Sequence, residues 1–282
     1  MYIDENFNIT NSETLQDKLL KTIYSNAFLR TLIKPLTLPA VSKIAGKFLD
    51  SRLSYYLIKP FIRANKIDMS DYEAKRFVSF NDFFTRRIRS GRRIIDKNAK
   101  IVSPSDGKVS AYKIGDDSVF KIKHSLYSIK SLTRSKVLSE KFKGGTAVII
   151  RLCVDDYHRY CYPISGIKST NVSIPGFLHT VNPAALETEK VFVENSREYC
   201  LIKGNDVCLV QIEVGALMVG KISNNEIFTA KVKKGDEKGC FEFGGSTIVL
   251  LLDSKTDVRH DLLENTELGL ETIIKQGEAI SY

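Results

Sequence analysis

Phe241-Glu242-Phe243-Gly244-Gly245-Ser246-Thr247 runs straight into Ile248-Val249-Leu250-Leu251-Leu252 near the end of the chain. An apolar run of this length, opened by glycines, predicts a buried strand, and a fold that can bury it. The two glycines put unhindered backbone directly before a hydroxyl residue. That geometry would let Ser246 attack the peptide bond on its own N-terminal side. Gly-Gly-Ser between apolar runs is also an ordinary turn. Taken alone, the stretch leaves both readings open.

The 282 residues are 43% hydrophobic and 27% charged, enough for a sizeable core in one large domain or a domain with an appended module. A formal net charge of +9 points to a polyanionic partner, either nucleic acid or an anionic membrane surface. Cys153, Cys161, Cys200, Cys208 and Cys240 are odd in number and show no CxxC spacing. They indicate neither a disulfide framework nor a zinc site, so a reducing, cytosolic setting is expected. Met1-Tyr2-Ile3-Asp4-Glu5-Asn6 has no basic and apolar signal-peptide regions, and no apolar run reaches the roughly 20 residues that span a bilayer. A soluble or peripheral protein is expected.

Two textures divide the chain. From about Ser12 to Ile67 it reads as helix, with Leu15, Leu19, Leu20, Ile23 and Tyr24 on one face and Ser12 as N-cap. Pro35 and Pro39 break the pattern. A second helix is predicted from about Val41 to Ile58, with Pro60 interrupting it. Between Glu13 and Ile67 ten Lys and Arg residues face three acids, so most of the excess charge sits here. A basic helical segment rich in Leu, Ile, Phe and Tyr suits a membrane interface, or an ordinary helical pair with a solvated rim. No zinc-finger, RNP-like or helix-turn-helix signature supports nucleic acid. After about Lys100, short runs such as Thr146–Leu152, Val207–Val214 and Ser246–Leu252 alternate with Gly, Pro, Asn and Asp. They suggest a mostly antiparallel sandwich or barrel.

Four segments of this β region hold reactive side chains. They are Ser103-Pro104-Ser105-Asp106-Gly107, Asp155-Asp156-Tyr157-His158-Arg159, Ile174-Pro175-Gly176-Phe177-Leu178-His179 and the Gly-Gly-Ser-Thr stretch. Asp106 is equally a turn residue and His158 equally a structural histidine on this basis. Together, Asp106, His158 and Ser246 supply the parts of an orienter, a base and a nucleophile. There is no G-x-S-x-G elbow. The spacing of His158, His179 and the carboxylates supports no particular metal site.

In this order the segments closely resemble the phosphatidylserine decarboxylases, from about Val78 to Leu252. Phe80-Asn81-Asp82-Phe83-Phe84-Thr85-Arg86-Arg87 is similar to the family's entry to its catalytic domain. Ser103-Pro104-Ser105-Asp106-Gly107 resembles its Ser-Pro-x-Asp-Gly motif, and Tyr157-His158-Arg159 its Tyr-His-Arg motif. Asn182-Pro183, Glu194-Asn195-Ser196-Arg197 and Glu213-Val214-Gly215-Ala216 follow, and Gly244-Gly245-Ser246-Thr247 stands at its processing site. Many family members carry a second histidine three residues after the first. Here that position is Cys161, and His179 is a candidate substitute.

The resemblance implies an α+β protein: a basic, helical, membrane-docking region (1–75), then a β-rich catalytic domain (76–282) of sandwich or barrel-like form. It implies that Asp106 orients His158, which takes the proton of Ser246, so that the chain cuts itself between Gly245 and Ser246. A large chain (1–245) and a small one (246–282) result, with Ser246 converted to a pyruvoyl group. That group would form a Schiff base with phosphatidylserine, release CO2 and leave phosphatidylethanolamine, with no metal. A peripheral place on the cytoplasmic face of the cell membrane follows, against anionic lipid. Oligomeric state, with a homodimer among the options, and acyl-chain preference stay open. So do a catalytically altered homologue and a relative acting on another serine phospholipid or amino acid.

Overall fold

The computed structural model describes residues 1–4, 8–10, 22, 26, 39–122, 125–177, 191–215, 221–242 and 246–282. The principal strands are β1 (Gly107–Lys113), β2 (Thr146–Leu152), β3 (Arg159–Cys161), β4 (Arg197–Lys203), β5 (Cys208–Val214), β6 (Glu237–Phe241), β7 (Ser246–Leu252) and β8 (Glu271–Ile274). The apolar run after the glycines is β7, and all seven of its residues are buried. It pairs antiparallel with β5 along one edge and β2 along the other. The sheet continues from β5 to β4, and from β2 through β1 to β8, antiparallel throughout. Short strands extend both ends, and Tyr2–Ile3 runs parallel to β8.

Side chains alternate across a strand, so β7 feeds two cores. Ile248, Leu250 and Leu252 pack with Ile150, Leu152, Tyr160 and Phe241. Val249 and Leu251 pack on the other face with Ile212, Ile129, Leu132 and Phe142. The first face is covered by a three-stranded sheet of Ile222–Asn224, β6 and β3, and by helix His260–Glu267, whose Leu262 enters the core. The second is covered by helices Ile129–Thr133 and Lys136–Phe142. Covering on both faces explains why β7 has no polar alternation.

The result is α+β with one large, mostly antiparallel sheet. Of the expected sandwich or barrel-like form, the barrel alternative is corrected. Among the described residues the sheet has eleven strands and its two ends, Ala230–Val232 and Ile9–Thr10, do not pair with each other. Layering on both faces buries the apolar surface without closure.

The helical region consists, in its described part, of α1 (Pro39–Asp50), a 3-10 turn (Arg52–Leu57) and α2 (Ile58–Ala64). It packs on α3 (Phe80–Phe84) through Leu49, Ile58, Phe80, Phe83 and Phe84. Phe61 stands edge-on to Phe80, ring centres 5.0 Å apart. Two cross-links hold the unit: Phe80 N donates to Ser54 Oγ and Asn81 Nδ2 to Asp50 Oδ1, each at 2.8 Å. The expected interruption at Pro60 is displaced. The break falls at Ser51, whose hydroxyl bonds Phe48 O (2.6 Å). Pro60 sits in the first turn of α2, where an amide hydrogen has no helical partner. The helical stretch expected from about Ser12 up to the break at Pro35 lies, apart from Thr22 and Asn26, outside the described residues.

Phe83 is fully buried where α3 meets α2. Phe83→Ala should cost about 3–5 kcal/mol in urea denaturation. An unchanged midpoint would contradict this packing role.

Candidate active site

Ser246 opens β7 opposite Leu152, the last residue of β2. Its side chain therefore points with those of Leu152 and Ile248 toward the layer that holds Tyr160 and Phe241. It is completely buried, and Oγ has no hydrogen-bond partner among the described residues. Burying an unpaired hydroxyl costs about 1–3 kcal/mol, so its retention asks for a functional reason. Gly244 and Gly245 lie outside the described residues.

The ladder positions His158. β2 and β3 lie along one strand path, β7 and β6 along the path opposite. Register is kept within one residue from Leu252↔Thr146 to Glu237↔Cys161. Between these pairings the path of β2 and β3 is interrupted at residues 153–157. Ser246 stands at one end of this interruption. His158 stands at the other, its carbonyl accepting Phe241 N at 2.9 Å.

His158 is completely buried, its ring 4.2 Å from that of Phe84. Nδ1 lies 2.9 Å from Asp156 O. A carbonyl can only accept, so Nδ1 carries the hydrogen and Nε2 the lone pair. A histidine in this tautomer can receive a proton at Nε2.

The loop behind it is tightly bonded. Cys153 N donates to Asp156 Oδ2 (2.6 Å) and Asp156 N to Cys153 O (3.0 Å). Arg86 Nη2 reaches Asp155 O (3.2 Å). Lys108 Nζ and Arg151 Nη1 each lie 3.1 Å from Cys153 Sγ, and Arg151 forms a two-pronged pair with Glu271. Burial pushes the Asp156 carboxyl up to about 7, with Asp155 adding to the shift and Lys108 and the Cys153 amide opposing it. Donor atoms of Cys153, Asp155 and Asp156 lie within 4.8 Å of one another.

Asp106 is bound differently from the sequence expectation. Arg93 grips both its oxygens (Nε to Oδ1 2.8 Å, Nη2 to Oδ2 2.5 Å), and Gln276 N donates to Oδ1 at 2.8 Å. The carboxylate therefore does not hydrogen-bond His158 in this arrangement, and the Asp156 carbonyl takes that place. A guanidinium fork matches a carboxylate better than one imidazole N–H can. Asp106 still belongs to the neighbourhood. Gln276 Nε2 bridges Pro104 O (3.0 Å) and Arg159 O (3.2 Å), and Cys161 N donates to Pro104 O (2.8 Å).

Cys161 is buried, and burial pushes its thiol up to about 12. It is a neutral thiol near neutral pH. His179 lies outside the described residues.

One polar feature escaped the sequence reading. Glu213 and Lys238, both completely buried, form an ion pair at 2.8 Å. Lys238 Nζ also donates to Asn224 Oδ1 at 2.8 Å. Glu213 pairs across from Ile248, so it faces the same layer as Ser246. Burial raises its carboxyl and Lys238 opposes the rise. The signal was present: Gln211 and Glu213 interrupt an otherwise apolar strand. Lys238 gave none.

Residues 80–281 match the family model described as phosphatidylserine decarboxylase. The chain belongs to the phosphatidylserine decarboxylase family. It is 46% identical over 266 residues to phosphatidylserine decarboxylase proenzyme 2 of Clostridium acetobutylicum, covering 93% of this chain and 90% of that protein. Phosphatidylserine decarboxylase proenzymes of Clostridium beijerinckii and Clostridium tetani are 41% and 38% identical, over 85% and 94% of this chain and 83% and 91% of theirs. The stretch matched as phosphatidylserine decarboxylase begins at Phe80, the first residue of α3. It contains Asp106, His158, Ser246 and the Glu213–Lys238 pair.

Removing one partner of that pair leaves the other charge buried and uncompensated. Lys238→Met should destabilise this decarboxylase-family fold by about 3–5 kcal/mol, and adding Glu213→Leu should recover most of the loss. Equal denaturation midpoints for single and double variants would refute this accounting.

Proposed function

We propose that the chain cuts itself between Gly245 and Ser246 and then decarboxylates phosphatidylserine to phosphatidylethanolamine at a membrane surface. The names of its relatives support the substrate. The observation that carries the self-cleavage is the buried Ser246 hydroxyl, without a partner among the described residues, at the head of β7 and across the ladder interruption from His158.

In this reading His158 Nε2 takes the proton of Ser246 Oγ, and Oγ attacks the Gly245 carbonyl carbon. The acyl group moves from nitrogen to oxygen, giving an ester and a free amine on residue 246. Elimination across Cα–Cβ of residue 246 releases the Gly245 carboxylate and leaves a dehydroalanine. Tautomerisation and attack by water expel ammonia, leaving a pyruvoyl group at the start of a 37-residue chain, 246–282. The site fits that group, because it would be generated in place at a buried strand end. It would supply a carbonyl electron sink for a substrate bearing a primary amine. His158, its proton-accepting task complete, is the proposed proton donor to the substrate carbon. Asp106 acts on the site through Gln276, which ties its segment to Arg159. Cys161 and His179 are the accessory positions.

The region 1–75 is the proposed membrane-docking part, and 76–282 the catalytic part. Ile44, Leu53 and Tyr56 are 71%, 69% and 76% exposed, with Phe48 and Leu57 also exposed beside them. Lys47, Arg52, Lys59 and Arg63 are exposed on the same segment. Apolar side chains ringed by cations suit an anionic lipid surface. No helix among the described residues is long and apolar enough to cross a membrane, a property that says nothing about strands. Peripheral attachment to the cytoplasmic face is the proposed location.

Intact mass under denaturing conditions tests the cleavage. Two chains split at 245/246, the smaller with a blocked N-terminus, are expected, and Ser246→Ala should stay whole. His158→Ala should slow cleavage by about two to four orders of magnitude. A single uncleaved parent chain that still decarboxylates phosphatidylserine would refute this mechanism. For docking, binding to phosphatidylserine vesicles should weaken with salt, and Leu53→Glu with Tyr56→Glu should weaken it further. Binding indifferent to both changes would exclude this face.

A further inference from the structure

The loop between β2 and β3 carries a carboxylate that the reaction above does not use. Asp156 Oδ2 accepts the Cys153 amide (2.6 Å), and the Asp156 carbonyl accepts His158 Nδ1 (2.9 Å). Cys153 directly follows Leu152, the residue opposite Ser246. One residue thus clamps the loop next to Ser246 with its side chain and next to His158 with its backbone. We propose that Asp156 is a positioning residue for self-cleavage, whose carboxylate fixes residues 153–157 so that His158 Nε2 can approach Ser246 Oγ. This inference rests on the cleavage reading above.

The carboxylate suits the task because a charge-assisted bond to a backbone amide is stronger than a neutral one. Its surroundings make it sensitive to pH. Asp155 of the same loop, Asp106 ahead of β1 and Cys153 face it together with Lys108 of β1. Arg151 of β2, paired with Glu271 of β8, lies behind Cys153. The balance leaves Asp156 titrating at about 7, against 3.8 for a free side chain. Because the folded state holds this proton more tightly, its contribution to stability is lost as pH rises from 3.8 to about 7. Ionisation therefore strengthens the clamp while weakening the fold, a combination expected of a residue kept for position.

Newly synthesised full-length chain can be followed by gel from translation in vitro into buffers on either side of neutrality. For the parent, cleavage should fall as pH drops through about 7, where Asp156 takes up a proton. Asp156→Asn should cut about ten- to hundredfold more slowly at alkaline pH, and its profile should lose the limb near 7. An Asp156→Asn chain cut at 245/246 with the parental rate and profile would overturn the proposal. A parent that is not cut at all would instead refute the cleavage reading. A second measurement does not depend on Asp156→Asn folding. In uncut Ser246→Ala chain, the Cys153 amide resonance should titrate with a midpoint near 7, and a Cys153 amide insensitive to pH would equally overturn the proposal.

Discussion

The pairing of β7 with both β2 and β5 is the constraint on which the rest of the molecule depends. It ties the backbone of Thr247–Leu252 to neighbours on both edges, while the side chains fill cores on both faces. Residue 246 is consequently placed by a ladder and not by a loop. The proposed cut falls at the first residue of that ladder, so it would remove a tether without breaking a strand. The segment after it also supplies helix His260–Glu267 and β8, which lies between β1 and Tyr2–Ile3. A 246–282 chain is thereby woven through the sheet, and the two products would stay one body with no covalent link.

His158 Nδ1 is held by a backbone carbonyl and not by a carboxylate. A carboxylate behind an imidazole fixes its tautomer and also stabilises the cation that forms on proton uptake. The Asp156 carbonyl fixes the tautomer with less charge behind it. That arrangement gives a protonated ring less support than a carboxylate would. It also leaves Asp106 available for another task, gripping Arg93 and, through Gln276, holding the Pro104 segment beside β3.

The sequence made β7 legible because burial on both faces leaves an unbroken apolar run. The Ser246, His158 and Asp106 segments were legible because small, polar and turn-forming residues stand out between such runs. The open sheet was not, since strand texture does not reveal whether edges meet. Pro60 was misread as a break because proline is disfavoured inside a helix yet tolerated in its first turn. Arg93–Asp106 and Glu213–Lys238 are separated by 13 and 25 positions. No local pattern links such pairs, and only the fold brings them together. The bond from Asp156 to His158 is local, but it uses a carbonyl, which every residue possesses and no side-chain pattern marks.

The α3 segment connects the exposed, basic helical region to the buried chemistry. Phe80 and Asn81 bind Ser54 and Asp50 on one side. On the other, Phe84 packs on the His158 ring, Thr85 O accepts Arg159 Nε (2.8 Å), and Arg86 holds the carbonyl of Asp155. Seven consecutive residues therefore carry both attachments. A lipid surface met by Ile44, Leu53 and Tyr56 would be in register with His158 through packed side chains and a few hydrogen bonds. Such a link needs no hinge: in the proposed docking, direct packing of this unit on α3 would hold the site at a fixed height above the bilayer.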